Sequence, residues 1–219
     1  MRITLPSGSP AAFARPESGE PERGLVVIPD IMGLRRLFDD MVDRLASDTG
    51  WAVCAPEPFA GYEDWTIEER LNGGVARIGD ERILGDLVAA ADATGCATVG
   101  VLGFCMGGMF TFKAAATGRF HRAVGFYGMI RLPEPWKGPA LSEPLDALAH
   151  PERCPTMAIV GTADPYTPPQ DVSDAEAHGT VVVRYEGADH GFVHDPSRPA
   201  HRADDAADAW RRALAFLSA

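Results

Sequence analysis

The chain has 219 residues, of which 46% are hydrophobic, and a formal net charge of −11 at pH 7. That is enough apolar residue for a sizeable core in one domain spanning 1–219, and it excludes disorder as the default state. The acidic balance argues against nucleic acid or an anionic membrane as a partner, while leaving room for a local basic pocket around a small-molecule substrate.

Residues 1–23 carry Pro and Gly punctuation and a short alternating stretch, which predicts an antiparallel edge hairpin. Residues 25–28 form the first strong strand. Leu37, Met41, Val42 and Leu45 then recur at helical spacing, predicting an amphipathic helix over 35–48. Residues 61–74 are polar and aromatic, with Tyr62, Trp65 and the charged run Glu68-Glu69-Arg70, and predict a loop and short helix over a site. A helix from 80 to about 93 leads to the apolar run Thr98-Val99-Gly100-Val101-Leu102, which reads as a buried parallel strand. Residues 109–116 read as a helix ending near Gly118. The stretch 133–155 is proline-rich and poorly periodic, an excursion rather than a second domain. Residues 156–160 and 181–185 are two further apolar strands, and Trp210, Ala213, Leu214 and Leu217 mark one face of a closing helix. Strands alternating with helices imply an α/β fold, a mostly parallel sheet covered on both faces.

No apolar run is long enough to span a bilayer, and the opening residues 1–8 lack a signal-peptide core, so a cytoplasmic protein is expected. Cys54, Cys96, Cys105 and Cys154 have no zinc or CxxC spacing. No metal or other cofactor is implied, and the cysteines are expected as reduced thiols, with Cys54, Cys96 and Cys154 serving packing alone. Oligomeric state stays open, a monomer being compatible with everything above.

The informative stretch is Gly103-Phe104-Cys105-Met106-Gly107-Gly108, set between the 98–102 strand and the helix that follows. Strand, tight Gly-x-Cys-x-Gly turn, helix is the pattern of a nucleophile elbow with sulfur in place of the commoner serine oxygen. The glycines allow a turn sharp enough to hold Cys105 clear of its neighbours. The helix behind it offers unpaired N–H groups and a positive dipole end, which favour a thiolate and negative charge on a nearby substrate oxygen. Alone, the hexapeptide also fits a phosphate-cradling or plain turn, and a buried cysteine is often an inert small hydrophobe.

A nucleophile needs a base, and the base an orienting acid. Asp164 follows the 156–160 strand in Gly161-Thr162-Ala163-Asp164-Pro165, and His190 follows the 181–185 strand in Gly187-Ala188-Asp189-His190-Gly191-Phe192. Each candidate sits just past the carboxyl end of its own strand, where open α/β sheets place their chemistry. A single Asp before Pro, or a single loop His, would be a turn or solvated residue. Three in this order, each after a strand, point to a Cys105–His190–Asp164 triad.

With these motifs the chain resembles the dienelactone hydrolases, α/β-hydrolases with a cysteine nucleophile. The matching pieces are the elbow, Gly125-Phe126-Tyr127-Gly128, the two loops bearing Asp164 and His190, and, upstream, Val27-Ile28-Pro29-Asp30-Ile31-Met32-Gly33 and Trp51-Ala52-Val53-Cys54-Ala55-Pro56-Glu57. The resemblance runs from about residue 25 to the C-terminal helix. It implies attack by Cys105 on an ester or lactone carbonyl, with His190 as base and then acid and Asp164 fixing the imidazole tautomer. The expected oxyanion donors are the N–H groups of Met106 and Ile31. Asp30 stands where the family carries a glutamate close to the nucleophile; it is one methylene shorter, so its reach to sulfur is open, and a helix-capping role is the alternative. The family's carboxylate-clamping arginines are replaced: His194 stands at one position, and Arg70 is a nearby candidate for the other. Tyr127 is a further candidate substrate contact, and Arg35, Arg36 and Arg198 could supply charge instead. Dienelactone itself is therefore expected to be a poor substrate, because His194 lacks the bidentate fork of arginine. Other readings are a thioesterase or other small-ester hydrolase, a non-catalytic binding protein of the same fold, and a thiol redox sensor using Cys105.

Overall fold

Leu25 and Val27 face one side of a central strand, and Val26 and Ile28 face the other; both sides are covered. That alternation, repeated by Val99 and Val101 against Leu102 and Phe104, gives the molecule two apolar layers of 27 and 25 buried residues about a single sheet. The computed structural model describes residues 1–219.

The elements run β1 (Arg2–Thr4), β2 (Pro10–Ala14), β3 (Arg23–Ile28), α1 (Arg36–Thr49) and β4 (Ala52–Pro56), then α2 (Ile67–Glu69), a kinked turn (Arg70–Gly74), α3 (Val75–Ile78) and α4 (Asp80–Ala93). They continue with β5 (Thr98–Phe104), α5 (Met106–Ala114), β6 (Arg122–Phe126), a 3-10 turn (Glu134–Trp136) and α6 (Pro144–Ala149). The chain closes with β7 (Thr156–Gly161), α7 (Pro169–Ala177), β8 (Val181–Tyr185) and α8 (Ala203–Ser218). The strand order is β1-β2-β4-β3-β5-β6-β7-β8. β1 and β2 form the antiparallel edge hairpin, and β3 to β8 are parallel. The fold is that of an α/β-hydrolase, as expected.

The chain leaves β3 outward to β4 and returns to the other side of β3 as β5, whose Gly103 pairs with Ile28. This reversal opens a crevice at the carboxyl ends of β3 and β5, where α/β sheets bind ligands. The loop after β3 and the cysteine turn after β5 are therefore neighbours.

Beyond the cysteine turn, two helices escape the sequence pattern. α7 buries just Val172 and Ala175, too few for a visible stripe. α6 lies in the 133–155 excursion, which is not loose: Trp136, Leu141 and Leu148 are all buried. Asp80 fastens the excursion by accepting from both the N–H and hydroxyl of Ser142, while its other oxygen takes a 2.5 Å bond from buried Lys113. On α8 the fully buried positions are Ala206, Ala209, Ala213 and Leu217; Trp210 and Leu214 flank them, partly covered. No helix is long and apolar enough to cross a membrane.

Candidate active site

Cys105 is the hinge between β5 and α5, with φ 57° and ψ −118°. Left-handed backbone at a residue with a Cβ is strained by about 1–3 kcal/mol and persists where the surroundings over-determine it. Here Cys105 N–H donates to Phe126 O at 3.0 Å, and its carbonyl accepts from Met109 N–H at 3.0 Å. The flanking glycines are required by close approach. A Cβ on Gly103 would lie 2.3 Å from Gly107 O, and one on Gly107 would lie 2.3 Å from Ile28 O. α5 thus packs directly on the end of β3, and every one of its residues is buried.

His190 Nδ1–H donates to Asp164 Oδ2 at 2.8 Å. The second Asp164 oxygen accepts from Tyr166 N–H at 2.8 Å, which orients the carboxylate. Burial disfavours a charged His190, but the hydrogen bond to Asp164 and the neighbouring Cys105 outweigh it and raise the imidazole to about 10. The rings of Tyr127 and Tyr166 approach the imidazole edge-on, with centroids 5.2 and 4.9 Å away.

In the β3 loop the Asp30 carboxylate accepts Met32 N–H, and the Asp30 carbonyl accepts Gly33 N–H. The N–H of Ile31 between them has no protein acceptor. Met106 opens α5, so its N–H is also among the first-turn donors lacking an intrahelical partner.

Asp30 lies at the cavity wall, yet its hydrogen bonds run elsewhere. Oδ1 accepts from Arg35 Nη1 at 2.7 Å, and Oδ2 accepts from Arg35 Nη2 at 3.0 Å and His194 Nε2 at 2.8 Å. Four donors use up both oxygens, and none of them is Cys105. Burial would raise this carboxyl, but His194 and Arg35 win and hold it well below the usual carboxylate range.

The three residues expected at substrate, Arg70, Tyr127 and His194, stand behind the cavity rather than on its surface. Arg70 donates to the carbonyls of Ile31 and Glu63 and lies over the Phe59 ring, bracing the β3 loop from below. Tyr127 is fully buried, with φ 40°, and its hydroxyl pairs with His194 Nδ1 at 2.5 Å. Sequence spacing cannot separate such support from contact, because both need the same polar side chains near the same loops. Arg36 is a surface residue facing Asp40. Arg198 does line the cavity, its guanidinium has no hydrogen-bond partner, and it lies over Gly191 where a Cβ would come within 2.7 Å. Tyr166 is missed by spacing; its one signal is its place two residues after the acid.

The cavity measures about 1280 Å³ and is lined by Cys105, His190, Asp30 and Ile31 together with an apolar wall. Cys105 is the one cysteine in its lining. Burial pushes the thiols of Cys54 and Cys154 up to about 12 and about 11, which makes both unreactive.

Comparison with known proteins agrees with this architecture. Residues 10–219 match the model of the dienelactone hydrolase family. A candidate carboxymethylenebutenolidase of Methylorubrum extorquens is 31% identical over 97% of this chain and 77% of its own length. The carboxymethylenebutenolidase of Pseudomonas putida is 29% identical over 96% of this chain and 89% of its own. The crystal structure of a candidate dienelactone hydrolase from Klebsiella pneumoniae superposes with a TM-score of 0.87 at 26% identity, covering 100% of this chain and 97% of that one. With a family model spanning nearly its whole length and the fold to match, the chain belongs to the dienelactone hydrolase family of carboxylic ester hydrolases.

Proposed function

We propose that the protein hydrolyses small esters or lactones through a Cys105–His190–Asp164 triad and an acyl-enzyme. Cys105 gives its thiol proton to His190, and Sγ attacks the carbonyl carbon, forming a C–S bond as the carbonyl π pair moves onto oxygen. The charge gathering on the carbonyl oxygen is met by the N–H groups of Ile31 and Met106, and loss of one such donor typically costs about 3 kcal/mol in the transition state. The C–O bond to the leaving group breaks as protonated His190 hands its proton to the departing oxygen. Water then attacks the thioester, His190 takes its proton, and Cys105 departs as the acid forms. Asp164 holds the tautomer and stabilises the charged imidazole throughout. Thiolate is a good leaving group as well as a good nucleophile, so the chemistry suits esters and lactones better than amides.

The observation that carries this reading is the Asp164–His190 hydrogen bond, made by an imidazole that lines the same cavity as the strained Cys105. The lack of a second cysteine in the cavity weighs against a redox sensor built on a resolving thiol. The test compares turnover of an activated acetate ester by the wild type and by Cys105→Ala, with intact-mass detection of the acyl-enzyme. Loss of turnover with acyl mass on the wild type is expected; equal rates would remove Cys105 as nucleophile.

A further inference from the structure

Six large hydrophobic side chains are left exposed, and four of them, Met32, Ile67, Leu71 and Tyr166, line the cavity that holds Cys105. Apolar surface gathered at one place marks a binding face. Its floor is apolar too, for Met129 and Trp136 are buried beneath the same cavity.

The wall is built rather than incidental. Thr66 and Glu69 close a capping box that starts α2, so Ile67 enters on a fixed first turn. The kinked turn that follows, where Asn72 and Gly73 leave helical geometry, carries Leu71. Trp136 Nε1–H donates to Leu71 O at 2.9 Å. Gly73, with φ 99°, lets the chain turn back against Pro135. Two segments far apart in sequence, the one after β4 and the one after β6, are thereby locked into a single face.

The cavity has a polar side opposite in kind. His190, Asp189 and Arg198 all come from the segment after β8. Since His190 protonates the leaving oxygen, the leaving group lies toward that segment, and the substituent on the acyl carbon is left to the other wall. The volume, about 1280 Å³, also exceeds the ~300–1,000 Å³ usual for small-molecule sites and is far more than a small lactone fills.

We propose that Ile67, Leu71, Met129 and Trp136 form an acyl-binding subsite, and that the preferred substrates are open-chain esters with an extended apolar acyl group of the hexanoyl to octanoyl class. The proposal rests on Cys105 being the nucleophile and His190 the acid. Each methylene moved from water onto such a wall is worth about fourfold in kcat/KM at full burial.

The experiment is a series of p-nitrophenyl esters, acetate, butyrate, hexanoate and octanoate, with the leaving group constant. It is run on the wild type, Cys105→Ala, Leu71→Asp and Ile67→Asp. Both substituted wall positions are exposed, and a thermal melt checks that the variants fold. Wild-type kcat/KM is expected to rise at least about tenfold from acetate to hexanoate. The hexanoate-to-acetate ratio is expected to fall at least about fivefold in Leu71→Asp, and to fall in Ile67→Asp. A flat or falling wild-type series, with acetate turnover still dependent on Cys105, overturns the subsite and leaves the nucleophile standing. So do folded variants that keep the wild-type ratio. Acetate turnover that survives Cys105→Ala, or no turnover of any ester, overturns the nucleophile and the subsite together.

Discussion

Asp30 and His194, 164 positions apart in the chain, are joined by a 2.8 Å hydrogen bond from Nε2–H to Oδ2. Both are buried; Asp30 lies at the cavity wall and His194 stands behind it. Burial, with positive charge on Arg35 and Arg198, holds His194 below its ordinary range against the pull of Asp30. The imidazole is therefore neutral, with Nδ1 free to accept from the Tyr127 hydroxyl. That hydroxyl is itself kept protonated by complete burial. Asp30, expected close to Cys105, is instead the anchor of the β3 loop.

Removing that anchor should weaken the fold. Asp30→Asn leaves the Arg35 guanidinium facing a neutral amide, and breaking a buried charge pair costs about 3 kcal/mol. The folded carboxyl is depressed, so its contribution is complete above the ordinary Asp value near ~4 and is lost as pH falls through the lower folded value. Urea titrations at pH 7 and pH 3 should therefore give a smaller difference between wild type and variant at pH 3. A difference that is the same at both pH values would sink the assignment.

The raised His190 has a different signature. A folded value near 10 keeps the imidazolium beside Cys105 across the neutral range, and its contribution to stability is full below about 6.5 and lost as pH rises through about 10. Alkylation of Cys105 by iodoacetamide should be faster than that of a free thiol at pH 7. His190→Asn should slow it, and an unchanged rate would remove the imidazolium as its cause. Asp164→Asn should leave the fold intact and lower turnover by about a thousandfold or more, measured as kcat on the acetate ester.

Gly107→Ala should be more damaging than its single methyl suggests. The new Cβ would meet both Ile28 O at 2.3 Å and Pro29 O at 2.5 Å, and backbone cannot swing away as a side chain can. Overpacking of this kind costs roughly 1–3 kcal/mol or more. Thermal melts should show the loss, and a variant as stable as wild type would mean that α5 does not ride against β3.

Asp80 and Lys113 offer an asymmetric pair. Lys113 is buried, burial lowers its affinity for a proton, and Asp80 opposes that. Asp80→Ala strands the ammonium and frees Ser142, and should cost about 3–5 kcal/mol. Lys113→Met removes the buried charge and should cost less. Chemical denaturation of the two variants checks the order.

Dienelactone is expected to be turned over with a lower kcat/KM than an activated acetate ester. Arg70 is committed to two carbonyls and His194 is neutral, so neither supplies a carboxylate clamp. Steady-state kinetics on both substrates decide it, and a high value on dienelactone would point to Arg198 as a sufficient partner.

What the sequence determined by itself is the material of local structure. Apolar runs at 25–28, 98–102 and 156–160 are buried parallel strands, because a short continuous apolar run is satisfied where both faces of a sheet are covered, whereas the run at 181–185 is a parallel strand at the sheet's edge that buries Tyr185 and leaves Val181 exposed. The glycines around Cys105 specify the turn, and the placement of Asp164 and His190 after their strands brings them to the same edge of the sheet as Cys105. Roles beyond this depended on which polar group reached which partner first. Asp30 has Arg35 and His194 within hydrogen-bond reach, Arg70 is drawn under the β3 loop, and Tyr127 is sealed beneath His190. Leu71 becomes cavity wall through a bond between its carbonyl and the indole of Trp136, 65 positions away. Periodicity reports which face of an element is apolar; pairing across the sheet and between loops is set by tertiary packing, where hydrogen-bond partners compete and burial penalises whichever group is left without one.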